Sequence, residues 1–356
     1  MKAVAIVDGE HYPAVVRDAL AELPYAFVAV RFVGGTEKLR GAPDYGVSVV
    51  DGVPDVDVAI DLTDERRPEV IADFLAAGIS VVGADFRFDP PPLHPFELPS
   101  IAVIGTGKRV GKTAVSAHVA RLLARDGRRV VCVAMGRGGP SEPELVTAPP
   151  SLDDLVARSR AGQHAASDYL ELAALTGVAT VGCRRAGGGS AGAPFLSNVV
   201  EGARLAASLE PDVVVFDGSG AAIPPIATTA RILVGRDPFR ERISDIVLDE
   251  LELRLAPAEP LEGRVAVFTA GPAPTGHLDA DIVHVSHNLA RRDVLQKELA
   301  RVEADTYLVE LKAAAIDVVA EHAVAHGVRV VLAGNEVVAE GLDEAVLALV
   351  PQGVRA

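Results

Sequence analysis

Along the first hundred residues, short apolar runs alternate with amphipathic stretches. Residues 3–7 are apolar and end in Asp8-Gly9. Residues 13–23 place Val15, Val16, Leu20 and Leu23 at helical spacing. Residues 26–33 predict a strand closed by Gly34-Gly35, and residues 56–62 predict another. A helix over 68–77, closed by Gly78, and a strand over 79–82 follow. Strands alternating with helices in this way predict a parallel α/β sheet. Residues 89–100 then carry Pro90, Pro91, Pro92, Pro95 and Pro99. Proline removes backbone donors and disfavours helix in the residue before it, so this stretch predicts a linker.

The alternation resumes with a strand over 101–104, a helix over 112–126 closed by Gly127, and strands over 129–134 and 212–216. Further strands are expected over 265–269, 282–285, 307–309 and 328–332, with helices over 291–302 and 313–326. With Gly105-Thr106-Gly107-Lys108-Arg109-Val110-Gly111-Lys112-Thr113 joining the strand over 101–104 to the helix over 112–126, the predicted class is α/β: a central P-loop domain with a parallel sheet, flanked by N-terminal and C-terminal α/β units. The expected division is 1–88, a Pro-rich linker over 89–100, the nucleotide domain over 101–260, and the C-terminal domain over 261–356.

The sharpest chemical signal is Gly105-Thr106-Gly107-Lys108-Arg109-Val110-Gly111-Lys112-Thr113, which leaves a predicted strand and opens a predicted helix. That is the context of a phosphate-binding loop. Successive backbone N–H groups wrap phosphates, and the positive end of the helix faces them. Lys112 would neutralise the β- and γ-phosphates, and Thr113 would hold Mg²⁺. The usual pattern has its first glycine at 106, where this chain has Thr106. The glycine is instead Gly105, a longer form that resembles the loop of dethiobiotin synthetase and its relatives. Asp217, at the end of the predicted strand over 212–216, is expected to hold Mg²⁺ or a water bound to it. The alternative is an ordinary Asp-Gly turn. Asp168 is a further metal candidate, and Glu142 and Glu144 either reach the metal or are solvated.

Several loops pair cations with glycines. Arg184-Arg185 precede Gly187-Gly188-Gly189, and Arg137 precedes Gly138-Gly139. Arginine forks suit phosphate and carboxylate, so Arg137, Arg184, Arg185 and the backbone of Gly188 are expected at an anionic substrate. In the first unit Glu10 and His11 follow one strand and Lys38 follows the next, which suggests a second ligand surface. His287 reads as a general acid or base, or as a satisfied capping histidine.

Composition narrows the partners. A net charge of −15 over 356 residues argues against a nucleic-acid or anionic-membrane surface. Cys132 and Cys183 are too few for a disulfide framework or a Cys-rich zinc site. No apolar run approaches membrane-spanning length, and the N-terminus lacks a signal-peptide pattern, so a cytoplasmic protein is expected. The only lysines are Lys2, Lys38, Lys108, Lys112, Lys297 and Lys312, and two of them fall in the phosphate loop. Counter-charge for a polyanionic ligand is therefore expected to be local.

Taken with those loops, Asp8-Gly9-Glu10-His11-Tyr12-Pro13, Met135-Gly136-Arg137-Gly138-Gly139-Pro140 and Gly218-Ser219-Gly220-Ala221-Ala222-Ile223-Pro224-Pro225 carry a wider resemblance. So do Ser286-His287-Asn288-Leu289 and Val309-Glu310-Leu311-Lys312. In this order the segments are similar to the cyclic 2,3-diphosphoglycerate synthetase family. The resemblance implies an ATP-dependent ligase with ATP and Mg²⁺ as cofactors. It would close an internal phosphoanhydride in 2,3-diphosphoglycerate and release ADP and phosphate. Lys108, Lys112, Arg184 and Arg185 would offset the charge of two polyphosphates, with Asp217 at the metal. The chain looks shorter than the family form around 145–151 and 242–264. Other readings of the loop are a GTPase or ATPase of the metallochaperone or switch type, and a non-catalytic binding protein. No Asn/Thr-Lys-x-Asp motif for guanine is present, and Lys112 and Thr113 are intact. A homodimer stands as an open expectation, because nothing in the sequence sets the oligomeric state.

Overall fold

The computed structural model describes residues 1–35, 39, 41–163, 167–311 and 316–350. Its contacts divide into two compact units. The first comprises 1–92 with the segments 189–193 and 236–244; the second comprises 93–188, 194–235 and 245–356.

The first unit begins with β1 (Lys2–Val7), α1 (Pro13–Glu22), β2 (Ala26–Phe32), β3 (Ser48–Val50) and β4 (Val58–Asp61). It continues through α2 (Pro68–Ala76), β5 (Ser80–Val82) and β6 (Arg87–Phe88). The sheet order is β3-β2-β1-β4-β5-β6, parallel up to the antiparallel β5–β6 pair. All of β1 beyond Lys2 is buried, as a central parallel strand requires. The 236–244 segment of this unit is held to α2, where Asp73 accepts from both Arg31 (2.6 Å) and Arg242 (2.7 Å).

In the second unit the elements run β7 (His94–Pro95), β8 (Ser100–Gly105), α3 (Lys112–Arg125), β9 (Val130–Gly136) and β10 (Glu144–Val146). Next come α4 (Leu152–Arg160), α5 (Asp168–Thr176), β11 (Thr180–Ala186), β12 (Leu196–Ser197), α6 (Val199–Ala207) and β13 (Val213–Asp217). Then follow β14 (Ile226–Ala227), β15 (Ala230–Val234), the short helix α7 (Pro238–Arg242) of the first unit, and β16 (Ile246–Leu248). The main sheet is ordered β10-β11-β9-β13-β8-β15-β16. Only β10 on this path is antiparallel to its neighbour. The strand feeding the phosphate loop, β8, thus lies between β13 and β15, and the strand ending in Asp217 is its direct neighbour. The proline-rich stretch does not run free: β7 pairs with β14, and Phe96 packs edge-on against Phe216 at 5.4 Å.

The last sheet, β17-β21-β20-β18-β19, is built from β17 (Glu252–Pro257), β18 (Arg264–Phe268), β19 (Asp281–Ser286), β20 (Thr306–Glu310) and β21 (Arg329–Val338). Helices α8 (Arg292–Leu299), α9 (Ile316–His326) and α10 (Leu342–Leu349) accompany it. Its core is continuous with that of the main sheet. Val103, Val115, Leu123 and Leu170 belong to the same buried cluster as Phe268, Leu295, Tyr307 and Val346. Fully burying side chains of this size contributes about 1.5–3 kcal/mol each, so these two sheets stabilise one another.

A polar knot reinforces that joint. Asp317 on α9 accepts from Ser159 on α4 (2.8 Å) and from both Nη atoms of Arg292 on α8 (2.8 and 2.9 Å). Burial pushes its carboxyl up, but the Arg292 and Ser159 hydrogen bonds hold it below the ordinary value. Asp317→Asn is expected to cost about 1–3 kcal/mol at neutral pH. A carboxyl depressed by folding stabilises above its unfolded pKa of about 4, and that stability is lost as pH falls through the folded value. Melting curves of wild type and variant should therefore differ at pH 7 and converge in acid. A gap that persists unchanged at low pH would contradict the account.

Candidate active site

The phosphate loop leaves β8, which is buried along its whole length. Three glycines shape it. A Cβ at Gly105 would lie 2.8 Å from the Lys112 stem, so this glycine lets the lysine fold beneath the loop. Gly111 has φ +99°, and a Cβ there would lie 2.5 Å from Leu251. Gly235, at the end of β15 (φ +98°), lies against Thr106. Arg109 also adopts a left-handed backbone (φ +61°), which a non-glycine residue seldom does. Lys112 is buried, and its Nζ donates to Gly107 O at 2.6 Å. Lys108 and Arg109 are exposed, while Thr106, Gly107, Val110 and Thr113 are half-buried. No side chain caps the N-terminus of α3, so its first N–H groups face an anion's position uncapped.

Asp217 ends β13 and is buried. It accepts from Ser116 Oγ at 2.8 Å, and Ser116 lies one turn beyond Thr113 on α3. Hydroxyl and carboxylate oxygens suit Mg²⁺. Among the described residues no group of three or more His, Cys, Asp or Glu side chains is placed to hold a metal ion. The donor set therefore fits a Mg²⁺ that takes few protein ligands and completes its shell with phosphate and water. Asp168 opens α5 and lies against Gly136, where an added Cβ would be 3.2 Å from its Oδ2.

The two arginines of β11 point to opposite faces of the strand. Strand alternation sends Arg184 to the exposed side and Arg185 to the buried side. Arg185 Nη2 donates to Ser219 O at 2.8 Å and Nη1 donates to Gly187 O. Gly188 is exposed, and a Cβ on it would lie 3.4 Å from Arg185 Nη1. Burial and the nearby Arg137 push the Arg185 guanidinium down in pKa, and Asp168 opposes them. Arg137 is exposed at the end of β9 and converges on the same 218–222 turn. The following loop lies flat on β11, since a Cβ at Gly139 would be 2.0 Å from Cys183 O.

Other expectations are relocated. Glu144 is half-buried and accepts from Arg158 and, at 3.0 Å, from the Tyr169 hydroxyl. Glu142 is exposed. His287 Nδ1 lies 2.9 Å from Thr269 Oγ1. In the first unit His11 Nδ1 lies 3.1 Å from Asp8 Oδ1, and the Glu10 N–H donates to the same oxygen at 3.1 Å. Lys38 lies outside the described residues. Cys132 and Cys183 are free and buried, and burial raises both thiols, that of Cys183 to about 12. Two buried hydroxyls, Ser116 and Ser219, had no assignment. Ser219 sits in a Gly-Ser-Gly turn directly after the strand carboxylate, which was the available signal.

Residues 2–65, 100–255 and 274–336 match, in turn, the N-terminal, P-loop and C-terminal domains described as those of cyclic 2,3-diphosphoglycerate synthetase. The chain belongs to the cyclic 2,3-diphosphoglycerate synthetase family. A protein of that name from Rubrobacter xylanophilus is 43% identical, over 98% of this chain and 97% of the relative. Another from Thermococcus kodakarensis is 37% identical over 94% of each chain. Among solved structures, LpxK from Aquifex aeolicus in complex with ATP is similar over 73% of this chain and 90% of that chain. Its identity is 14% and its TM-score 0.44. The Rubrobacter alignment runs over 428 positions, more than the 356 residues here, so that synthetase carries residues this chain lacks. The α/β class with a central P-loop domain stands as expected. No helix among the described residues is long and apolar enough to cross a membrane.

Proposed function

We propose that the chain closes an internal phosphoanhydride in 2,3-diphosphoglycerate at the expense of ATP. The observation that carries this reading is an intact phosphate loop, with buried Lys112 folded beneath it, in a chain matched along its length by synthetases of that name. One phosphate oxygen of the substrate attacks the γ-phosphorus of ATP, and ADP leaves. The neighbouring phosphate then attacks the substrate's own activated phosphorus. Orthophosphate leaves and the ring is closed. The substrate supplies its own nucleophile, so positioning and charge neutralisation do most of the work.

Lys112 and the loop N–H groups hold the nucleotide phosphates, and Lys108 adds charge at the loop's exposed side. Thr113 and Asp217 would hold Mg²⁺, which supplies charge neutralisation between phosphates when bound. Asp168 stays a further metal candidate. Arg137 and Arg185 meet the substrate's phosphates. The assignment of Glu10, His11 and Lys38 to the substrate rests on their motifs. We place the enzyme in the cytoplasm and read 1–88, 101–260 and 261–356 as its N-terminal, nucleotide-binding and C-terminal domains, the last two sharing one hydrophobic core.

Because Arg184 and Arg185 point to opposite faces, their variants should differ. Arg185→Ala is expected to lower kcat/KM for 2,3-diphosphoglycerate by about tenfold or more, and Arg184→Ala by no more than about threefold. Equal losses would contradict the placement. The reading itself is tested by following ADP release with and without 2,3-diphosphoglycerate, using ATP or GTP. It predicts substrate-dependent release with ATP. Substrate-independent release, or a preference for GTP, would contradict it.

A further inference from the structure

Two buried polar atoms at the 218–222 turn have no hydrogen-bond partner: Ser219 Oγ and Arg185 Nε. Ser219 is 2% exposed and Arg185 is 9% exposed. The remaining nitrogens of Arg185 are fixed on Ser219 O and Gly187 O, so the guanidinium is locked beside the turn. Arg137 reaches the same place. A Cβ on Gly220 would lie 2.3 Å from Arg137 Nη2 and 3.0 Å from Arg185 Nη2. Gly220, with φ +59°, is therefore where the absence of a side chain lets two guanidinium groups converge. Among the described residues no carboxylate forms an ion pair with Arg137.

Two like charges and two orphan donors around one turn, offset in part by Asp168 near Arg185, call for a ligand that only accepts hydrogen bonds and carries negative charge. A phosphate monoester dianion does both. The turn is also well placed. Gly218 N donates to Val103 O at 2.9 Å, so the turn rests on the last residues of the strand that runs into the phosphate loop. The nucleotide has its own donors in that loop, which leaves the turn for the other reactant.

We propose that Ser219 Oγ, together with Arg185 Nε and Arg137, holds the phosphate of 2,3-diphosphoglycerate that attacks ATP. This rests on the cyclisation reading above. The hydroxyl is a substrate contact that fixes the attacking phosphate without adding a third cation, which would blunt its nucleophilicity.

The test is steady-state kinetics of Ser219→Ala and Ser219→Thr, with thermal melts of both. For Ser219→Ala, KM for 2,3-diphosphoglycerate should rise about tenfold or more, and KM for ATP should stay within about twofold. Ser219→Thr should recover most of the loss. The melting temperature of Ser219→Ala should equal or exceed that of wild type, because an unpartnered buried hydroxyl has been removed. An unchanged KM for 2,3-diphosphoglycerate, an equal rise for ATP, or a lowered melting temperature would overturn the proposal. Calorimetric binding of inorganic phosphate separates it from the reaction. Weaker phosphate binding by Ser219→Ala, even if wild type cyclises nothing, supports the site and removes only the reaction. Equal phosphate binding by both proteins overturns the site.

Discussion

Lys112→Ala is expected to reduce kcat for substrate-dependent ADP release by about 10²–10³-fold or more, the size of effect seen when one preorganised hydrogen-bond donor is removed from a developing anion. The reason is geometric. Gly105 has no side chain, so the Lys112 stem folds beneath the loop and its Nζ reaches Gly107 O at 2.6 Å. This places the ammonium beneath the loop, against its backbone. Lys108 is exposed and cannot take over a buried charge. The melting temperature should hardly change, since the lysine is solvated when the chain is unfolded and carries a burial cost when it is folded. A variant that retains full activity would remove the loop from the mechanism. One that loses activity only by unfolding would show up in its melt.

Gly111→Ala is expected to have the largest structural effect in the loop. A side chain at φ +99° costs about 1–3 kcal/mol in backbone strain. The new Cβ would also lie 2.5 Å from Leu251 and 3.3 Å from Leu253, and overpacking of this kind typically costs about 1–3 kcal/mol more. These leucines belong to the segment leading into and forming β17, so the clash falls where the phosphate loop meets the C-terminal sheet. A fall in melting temperature of about 5 °C or more and weaker ATP binding should appear together. Gly107 is the comparison: a Cβ there meets nothing within 4 Å, so Gly107→Ala should leave the melt nearly unchanged. Similar melts for both variants would contradict the packing account.

Much of the framework could be read from periodicity, because the buried strands are uninterrupted apolar runs. Strands β1, β8, β9 and β13 and helix α3 fall within a residue or two of the expected positions. The phosphate loop was legible because its chemistry is local in sequence. The elements that escaped are those whose order depends on distant partners. Helix α4 buries only Leu155 and Val156, so it shows little periodicity, although its Ser151–Asp154 capping box was readable. Strand β7 has two residues, one of them proline, and exists through its pairing with β14. The continuous core shared by the main and last sheets joins residues more than two hundred positions apart, which no local pattern encodes.

At the site, residue type was legible and direction was not. Arg184 and Arg185 look equivalent as a pair of cations, yet period-two alternation separates them. That signal was present once 180–186 is recognised as a strand, but glycine and arginine dilute its apolar character. Glu144 reads as a solvated acid until Arg158 and Tyr169 are brought to it by the fold. Ser219 reads as turn filler until its burial and lack of a partner are seen.

The most direct test of the central claim is phosphorus NMR of the protein with ATP, Mg²⁺ and 2,3-diphosphoglycerate. The account predicts that the two monoester resonances of the substrate decline together and give way to those of a cyclic phosphoanhydride, with one ADP and one orthophosphate formed per ring closed. ADP and orthophosphate accumulating while both monoester resonances persist would contradict it.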